Sequence, residues 1–370
     1  MTLGPQLRPA GKTRVVFEGR KLLFFAGTDY HRLSRHPELL AAAKEAMDDF
    51  GLTASGSRAT TANHPLLGQL EQALTEFLGS ESVLLTPNGY LAPTVLLQGN
   101  ADRFAAAYLD ERAHPALWDA AAASGLPAHP FPHADAGALA DRVGKTLPPG
   151  GRPVVVTDAV FAALGDPAPV LELLEVSDRF GGQLVLDEAH AVAVLGPSGK
   201  GLAEHLGVPL HRVWRTGTLG KGFGAAGGFV AADAATVSDC VAKSRAFVGA
   251  SPLALPIAAA ALAGVRLLTR DRTLIESLQT KALGFKQVLR EMGVDQVDLP
   301  MPIAALTLGD PERNRSLSDT LLEWGIYPPF IDYPGSLPGG QFRFAIASAH
   351  SDMEIDALVE ALRDGLDRFA

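Results

Sequence analysis

Cysteine is almost absent from the sequence: Cys240 is the single one among 370 residues. An internal disulfide is therefore impossible, which indicates a reducing compartment such as the cytoplasm. The first residues contain no apolar segment of the kind that precedes a signal cleavage site, so we expect no secretory signal. The uncharged run at 246–265 has the length of a membrane span, but its two prolines and many alanines favour a buried helix.

Excess positive charge is also lacking. Lys and Arg number 32 against 41 Asp and Glu, which gives a formal net charge of −9. This balance argues against nucleic acid or an anionic membrane as the main partner. With 47% hydrophobic and 20% charged residues, the composition is typical of a soluble globular protein long enough for two domains.

Short apolar runs alternate with helical patterns through most of the chain. Helical periodicity is present at 36–51 and 64–79, and each segment ends in glycine. Uninterrupted apolar strands between helices predict an α/β fold, with a mainly parallel sheet covered on both faces. Such a sheet binds ligands beyond the carboxyl ends of its strands. The predicted strands are 82–86, 105–110, 153–158, 183–188, 211–217 and 227–233.

The pattern changes towards both ends of the chain. Residues 1–45 are predicted to include an extended N-terminal segment, and 46–268 to form a large domain that contains the sheet. Residues 269–370 combine a long helix, two predicted strands and two further helices. They are predicted to form a smaller α+β domain.

Lys221 lies among glycines in RTGTLGKGFGAAGGF (215–229), and three short motif matches near it are weak. A P-loop requires Ser or Thr after its lysine, but Gly222 follows here. GFGAAG (222–227) has the spacing of a dinucleotide-binding turn, yet it precedes a strand instead of joining a strand to a helix. DEAH (187–190) resembles a helicase box, but the acidic chain has no P-loop.

A nucleophilic role for Lys221 explains its surroundings better. An amine attacks a carbonyl only when it is unprotonated, and burial at a strand end lowers the pKa of a lysine. Neighbouring glycines allow a bulky planar molecule to approach the backbone. Pyridoxal phosphate (PLP) is the carbonyl compound that we expect. It needs a carboxylate near its ring nitrogen, donors for its phosphate and a group on its face.

Two residues of the preceding strand end are candidates to contact the PLP ring. Asp187 ends an apolar strand 34 positions before Lys221 and could keep the pyridine nitrogen protonated. His190 could reach the ring hydroxyl. Taken singly, an aspartate here is more often a helix cap or a loop residue, and a histidine is more often a packed polar side chain.

The other PLP contacts are expected at two strand–helix turns. Asn88-Gly89-Tyr90 begins a helix directly after a strand, and free backbone N–H groups there suit a phosphate. Thr218 could add a hydroxyl to the same phosphate. His114 could cover the ring face. The alternatives are an ordinary strand–helix turn and a surface histidine before Pro115.

From about residue 20 to its end, the chain resembles the α-oxoamine synthases, PLP enzymes of fold type I. TGTLGKGFGAAGGF resembles the family's lysine motif, and LVLDEAHAVAVLGPSGKG its Asp-x-Ala-His motif. The resemblance implies an aminotransferase-like fold with a mainly parallel, seven-stranded sheet. The other matching segments are LLTPNGYLAP, LDERAHPALWDAA, TDAVFAALGDPAPV, GTDYHRLSRHPEL, GSRATTANHPLLGQLE and SLPGGQFRFAIASAH.

The resemblance implies a role for each matching residue. Lys221 would bind the aldehyde of PLP and later move the α-proton of the substrate, while Asp187 would pair with the ring nitrogen. His190 would hydrogen-bond the ring oxygen, and His114 would stack on the ring. The remaining expected contacts are Asn88, Gly89, Tyr90 and Thr218 at the phosphate, Asp158 in support, and Arg343, Ser336 and Thr28 at the substrates.

The chain departs from the family pattern mainly where substrates bind. Thr28 stands in place of an asparagine that helps to hold the substrate carboxylate. Ala162 and Leu164 replace a serine and an aspartate near the ring, and GASPLALPIA, with Pro252, replaces a segment rich in hydroxyls. These departures leave the substrate and the reaction type open.

The resemblance implies an acyltransferase reaction in a homodimer. An amino acid would condense with an acyl-CoA or another acyl thioester and lose CO₂, giving a 2-amino ketone. Formation of 8-amino-7-oxononanoate for biotin, from alanine and a pimeloyl thioester, ranks first among the possible reactions. A PLP-dependent aminotransferase, a carbon–carbon lyase and a non-catalytic binding protein are the alternatives. No metal is expected.

Overall fold

The computed structural model describes residues 3–332 and 339–368. Contacts within the chain divide it into two compact units. The larger unit comprises Leu33–Phe161 and Pro167–Arg272, and the smaller comprises Met1–Arg32, Ala162–Asp166 and Thr273–Ala370. The domain bounds at residues 45 and 268 therefore stay predictions, since contact grouping does not define domains. In this grouping the N-terminal residues belong with the C-terminal ones.

We number the strands and helices in chain order. The strands are β1 (Arg8–Pro9), β2 (Arg14–Phe17), β3 (Arg20–Leu23), β4 (Ser82–Thr86), β5 (Ala106–Asp110), β6 (Ala128–Phe131), β7 (Pro153–Asp158), β8 (Gln183–Asp187), β9 (Val213–Thr218), β10 (Gly228–Ala232), β11 (Ile303–Leu306), β12 (Phe330–Ile331) and β13 (Gln341–Ala345). The helices are α1 (Pro37–Phe50), α2 (Pro65–Leu78), α3 (Ala92–Asn100), α4 (Pro115–Ser124), α5 (Ala136–Thr146), α6 (Val170–Arg179), α7 (Leu202–His205), α8 (Ala234–Lys243), α9 (Arg245–Val248), α10 (Leu255–Arg270), α11 (Thr273–Glu291), α12 (Pro311–Glu323) and α13 (Asp352–Asp367).

The larger unit contains a seven-stranded sheet in the order β4-β10-β9-β8-β7-β5-β6. Strand β10 is antiparallel to both of its neighbours, and the remaining pairs are parallel. The predicted α/β fold with a mainly parallel sheet is confirmed. The apolar pattern did not reveal the direction of β10, because buried strands of either direction are apolar. It also missed β6, an edge strand that contains a proline.

Buried β-branched and aliphatic side chains explain why the central strands form. All six residues of β7, PVVVTD, are buried, and the cluster around the sheet includes Val154, Val156 and Val185. Full burial of such a side chain contributes about 1.5–3 kcal/mol. The helices predicted at 36–51 and 64–79 are confirmed as α1 and α2, which are followed by Gly51 and Gly79 in left-handed backbone conformations.

The smaller unit contains two antiparallel three-stranded sheets, β1-β2-β3 and β11-β13-β12. Its core includes Phe25, Phe285, Phe342 and Phe344. Leu23 at the end of β3 donates its N–H to the carbonyl of Gly325 at 2.8 Å, so the N-terminal strands are tied to C-terminal residues by backbone hydrogen bonds.

The expected buried helix within 246–265 is present in part as α10, most of whose residues are buried. The preceding residues form α9 and a loop instead. Within the described ranges 3–332 and 339–368, no helix is long and apolar enough to cross a membrane.

Candidate active site

Four neighbouring parallel strands bring polar side chains to one edge of the larger unit's sheet. Strands β5, β7, β8 and β9 end at Asp110, Asp158, Asp187 and Thr218. Asp158 lies opposite Asp187 in the ladder between β7 and β8, and Asp187 lies opposite Thr216 of β9. Adjacent strands are about 4.8 Å apart, so these groups are neighbours. The structure thus brings polar side chains together at these strand ends, and their individual roles stay predictions.

Lys221 lies in the turn between β9 and β10 and is half-buried. Gly222 follows it where the backbone touches another segment: a Cβ atom built there would lie 2.6 Å from the Cβ of Ala193. Gly224 adopts φ +68°, and its Cβ would lie 2.5 Å from that of Leu33. Side chains at these positions would clash, so the glycines let the turn pack closely and hold Lys221 at the sheet edge.

Asp187 is buried and anchored by two hydrogen bonds. Its Oδ2 accepts from Thr216 Oγ1 at 3.0 Å, and its Oδ1 accepts from the Ala189 backbone N–H at 2.9 Å. His190, which is also buried, follows in the same turn. The bond from Ala189 thus fixes the backbone that carries His190. The individual roles predicted for Asp187 and His190 stay predictions.

The electrostatic interactions among four groups indicate that they share one site. Burial raises the pKa of Asp158, and the adjacent Asp187 carboxylate raises it further, whereas Lys221 lowers it. Burial lowers the pKa of His114, with Asp187 opposing this shift and Lys221 reinforcing it. Lys221, Asp158, Asp187 and His114 therefore lie close enough to influence one another's protonation.

His114 is an exposed residue at the start of α4, and Asp158 supports its backbone. The N–H of His114 donates to Asp158 Oδ2 at 2.7 Å. Its Nδ1 accepts the N–H of Ala116 at 3.2 Å, which caps the helix. The imidazole also contacts the Tyr90 ring, with centroids 5.9 Å apart and planes at 75°. The predicted support role of Asp158 thus has a structural counterpart, and the stacking role of His114 stays a prediction.

The Asn88-Gly89-Tyr90 turn packs against Thr218. Asn88 Oδ1 accepts from the N–H of Leu91 at 3.0 Å, and a short 3-10 turn at Gly89–Leu91 leads into α3. A Cβ atom at Gly89 would lie 2.8 Å from Thr218 Cβ, so glycine is required for the approach. Thr218 Oγ1 donates to the carbonyl of Gly227 at 2.9 Å and accepts from Gly220 N–H at 3.1 Å. The predicted phosphate residues thus lie together.

A buried charge cluster behind the site was missed by the sequence analysis. The Glu188 carboxylate accepts from the N–H groups of Leu202 and Ala203 at 2.8 and 3.1 Å. Arg215 is almost fully buried and donates to the carbonyls of Lys200 and Leu78 at 3.2 and 3.0 Å. Burial raises the pKa of Glu188 to about 7 and lowers that of Arg215. The sequence did contain a signal for this cluster: two charged residues, Glu188 and Arg215, stand directly beside Asp187 and Thr216 in otherwise apolar strand segments.

The predicted substrate residues that the structure describes belong to the smaller unit. Arg343 on β13 donates from Nη1 to the carbonyl of Ala162 at 3.2 Å. Burial raises the pKa of Tyr30, and the Arg343 charge opposes that shift. Thr28 is half-buried, and its carbonyl accepts the N–H of Tyr30 at 2.9 Å. Arg343, Thr28 and Tyr30 thus lie in one unit, but their roles stay predictions.

The other positions named from the sequence are Ser336, Ala162, Leu164 and Pro252. Ser336 lies outside the described residues. Ala162 and Leu164, which replace polar residues of the family, are half-buried. Pro252 and the exposed Ser251 belong to a small pocket of the larger unit that is also lined by Arg58 and Phe247.

The residues at the sheet edge fit PLP. Three side chains interact electrostatically: the half-buried amine of Lys221, the buried carboxylate of Asp187 and the exposed imidazole of His114. The carboxylate also accepts two hydrogen bonds. Beside it, the turn at Gly89, which begins a helix after a strand, packs against the hydroxyl-bearing side chain of Thr218. This set contains a chemically suitable partner for each part of PLP: its aldehyde, its ring nitrogen, its ring face and its phosphate.

The fold and this set of residues define the class, an aminotransferase-like protein of PLP fold type I. The family described as aminotransferase class I and II matches residues 20–362. An 8-amino-7-oxononanoate synthase from Methylobacterium sp. (strain 4-46) is 33% identical over 366 residues, which cover 98% of this chain and 91% of the relative.

Solved structures give the same result. A serine palmitoyltransferase from Sphingomonas wittichii superposes with a TM-score of 0.90 at 26% identity, covering 97% of this chain and 90% of that one. A serine palmitoyltransferase structure with PLP gives a TM-score of 0.91 at 25% identity, with the same coverage. The chain belongs to the aminotransferase class I and II family and, within it, to the α-oxoamine synthases, which are PLP-dependent transferases.

Proposed function

We propose that the protein condenses an amino acid with an acyl-CoA or another acyl thioester, with loss of CO₂, to give a 2-amino ketone. The observation that carries the proposal is the geometry of the sheet edge: Asp187 lies opposite Asp158 and is bonded by Thr216 of β9, the strand that leads into the turn with Lys221. The relatives named 8-amino-7-oxononanoate synthase support this choice among PLP reactions.

The chain's residues would hold PLP and move one proton. When bound, PLP supplies an acceptor for the negative charge that develops at the amino acid's α-carbon. Lys221 Nζ would hold the aldehyde and would accept the α-proton of the amino acid. Asp187, anchored by Thr216, holds a proton on the ring nitrogen. The Asp187 carboxylate and the protonated ring nitrogen would form a charge pair in a buried site. Their electrostatic interaction is stronger there than in water.

The surrounding residues orient PLP. The His114 ring covers one face, and Asp158 fixes the backbone from which that ring projects. His190 hydrogen-bonds the ring oxygen. The phosphate is held by the N–H groups of the turn that begins a helix, together with the Thr218 hydroxyl. Asn88, Gly89 and Tyr90 form that turn.

Substrate recognition is assigned to residues of the smaller unit. The planar guanidinium of Arg343 can donate two parallel hydrogen bonds to the amino acid's carboxylate. Arg343 is half-buried, and burial strengthens such a contact. Thr28 and Ser336 complete the proposed substrate contacts. We rank alanine and a pimeloyl thioester first as substrates, which would place the reaction in biotin formation.

The test is incubation of the PLP-loaded protein with L-alanine and a series of acyl-CoA thioesters. The proposal expects stoichiometric free thiol, CO₂ and an amino ketone. A keto acid without thiol release would instead indicate an aminotransferase, the alternative that the altered positions Thr28, Ala162 and Leu164 raise. PLP binding with no reaction of any amino acid would indicate a non-catalytic binding protein.

We further propose that the protein acts as a homodimer. Exposed apolar residues on and just after α1 support this: Leu40, Met47 and Phe50 recur at helical spacing, and Leu52 follows with 67% of its surface exposed. Replacing Met47 and Phe50 with glutamate is expected to convert the dimer to monomers at micromolar concentration, measured by sedimentation velocity. A dimer that persists unchanged would contradict this location of the interface.

We place the reaction in the cytoplasm. The only cysteine in the sequence, Cys240, is buried, and burial raises its pKa to about 12, so its thiol is poorly reactive. A chain without disulfides needs no oxidising compartment. Cell fractionation of the native host would test this.

A further inference from the structure

Tyr90 connects two parts of the candidate site that lie apart in the sequence, the turn proposed for the phosphate and His114 at the start of α4. Its backbone belongs to the turn proposed for the phosphate, while its ring contacts the imidazole of His114, with centroids 5.9 Å apart. Its hydroxyl donates to Oδ2 of Asp119 at 2.5 Å. Asp119 lies on α4, the helix that His114 caps. Tyr90 therefore bridges the turn at one strand end to the helix at the next.

The other hydrogen bonds of His114 restrain the plane of its ring only weakly. The bond to Asp158 holds the backbone N–H, which fixes the position of the residue but not the plane of its ring. The bond from Ala116 reaches Nδ1 at 3.2 Å, the long end of the range for hydrogen bonds, and the residue is exposed. Rotation about the last side-chain bond of a histidine is broad and weakly restrained in the absence of packing.

We propose that Tyr90 and Asp119 form a positioning pair that sets the plane of the His114 ring. The hydroxyl–carboxylate bond fixes the Tyr90 ring at 75° to the imidazole. In that arrangement the edge contact favours one ring plane. The pair acts through His114 and needs no contact of its own with a substrate. The proposal rests on the role of His114 as the group on the PLP face.

The chain offers a matched control for Tyr90. The Tyr108 hydroxyl also hydrogen-bonds a side chain, Thr146 Oγ1 at 2.9 Å, and its ring also contacts a histidine, His129, with centroids 5.2 Å apart. Tyr108 lies within β5 and is fully buried. Tyr108→Phe thus removes the same atom at a buried position that the proposed site does not use, whereas Tyr90 is exposed.

The experiment measures the circular dichroism that the protein induces in the visible absorption band of bound PLP, together with the PLP dissociation constant. Tyr90→Phe and Asp119→Ala are each expected to weaken PLP binding about threefold and to reduce the induced signal per bound PLP, because a lost hydrogen bond loosens the ring. Asp119→Asn keeps an acceptor oxygen and is expected to restore both quantities to within about twofold of wild type. Tyr108→Phe should leave both unchanged.

His114→Ala separates failure of the pair from failure of the stacking role. If His114→Ala reduces the induced signal while Tyr90→Phe and Asp119→Ala do not, the positioning pair is refuted and the stacking role stands. If His114→Ala itself has no effect, the stacking role fails, and the positioning proposal fails with it. Equal losses in Tyr90→Phe and Tyr108→Phe would also overturn the proposal, since they would reflect general destabilisation.

Discussion

The carboxyl edge of the larger unit's sheet and the strand that carries Arg343 in the smaller unit are built on different principles. At the sheet edge, ionisable groups of both signs are buried or half-buried, and the carboxyl groups of Asp158 and Asp187 are oriented by backbone or hydroxyl donors. In the smaller unit, the Arg343 guanidinium donates to the carbonyl of Ala162, and the nearby Tyr30 is a neutral phenol.

This difference bears on which part of the chemistry can vary. Strand register fixes Asp158 and Asp187, and closely packed glycine turns hold Lys221 and the phosphate turn, so the fold itself positions these residues. Arg343 and Thr28, the described residues proposed for substrates, contact backbone groups of the smaller unit instead. A family built this way can keep one cofactor and change substrates.

The largest expected effect comes from removing the amine at the sheet edge. Lys221→Ala should lower kcat by about 10³-fold or more, because it removes both the covalent attachment and the proton acceptor. The same variant should lack the visible absorption band that PLP acquires on binding to a lysine. Steady-state kinetics and absorption spectra measure the two effects.

Lys243→Ala is the matched control for that substitution. Lys243 lies on α8 of the same unit and pairs with Asp102 at 2.9 Å on the surface. Its removal should change neither the spectrum nor kcat. A Lys221→Ala protein that retains wild-type turnover would refute the central role of this residue.

A change on the substrate side should act on binding instead. Arg343→Gln is expected to raise the KM for the amino acid by about 10–100-fold, the value of a hydrogen bond to a charged group, and to leave the PLP spectrum intact. Gln341→Ala is the control, since Gln341 Nε2 donates to the carbonyl of Ala163 in the same segment. If both variants raise KM equally, Arg343 acts by holding that segment and does not bind the carboxylate.

The sequence predicted most of the sheet edge and less of the smaller unit, for physical reasons. Asp158 and Asp187 end apolar runs and Thr218 directly follows a predicted strand, so their positions at strand ends followed from the sequence pattern. Asp119 and Arg215 were not singled out, because their contacts join elements whose pairing the sequence does not specify. The resemblance supplied the residue roles, which no local pattern contains.

A smaller effect is expected from the residue that anchors Asp187. Thr216→Val removes the hydroxyl that donates to Asp187 Oδ2 but keeps the volume of the side chain. Because the acceptor is a buried carboxylate, we expect kcat/KM to fall about 3–10-fold. Thr157→Val on β7 is the control, since its hydroxyl donates to a backbone carbonyl, that of Asp158 at 3.2 Å. Equal losses in the two variants would contradict a specific role for Thr216.

The smallest effects should appear as opposite pH dependences of stability in the two units. Burial raises the pKa of Glu188 in the larger unit from 4.5 to about 7, so between these values the folded state keeps a proton that the unfolded state releases. The free energy of unfolding therefore falls as the pH rises through that window. Burial lowers the pKa of His350 in the smaller unit from 6.5 to about 4, so the unfolded state binds the extra proton and stability falls as the pH drops from 6.5 towards 4.

Urea unfolding of the PLP-free protein at several pH values measures both slopes. Glu188→Gln should remove the loss of stability above pH 5, and His350→Gln should flatten the loss below pH 6.5, each by about 1–2 kcal/mol across its window. His350→Gln also loses acceptance of the Ala347 N–H, which the wild-type ring holds at 2.8 Å, so its stability at pH 7 should be lower than that of wild type. If the two variants changed the pH profile in the same direction, the two units would not differ in how burial affects their titrating groups.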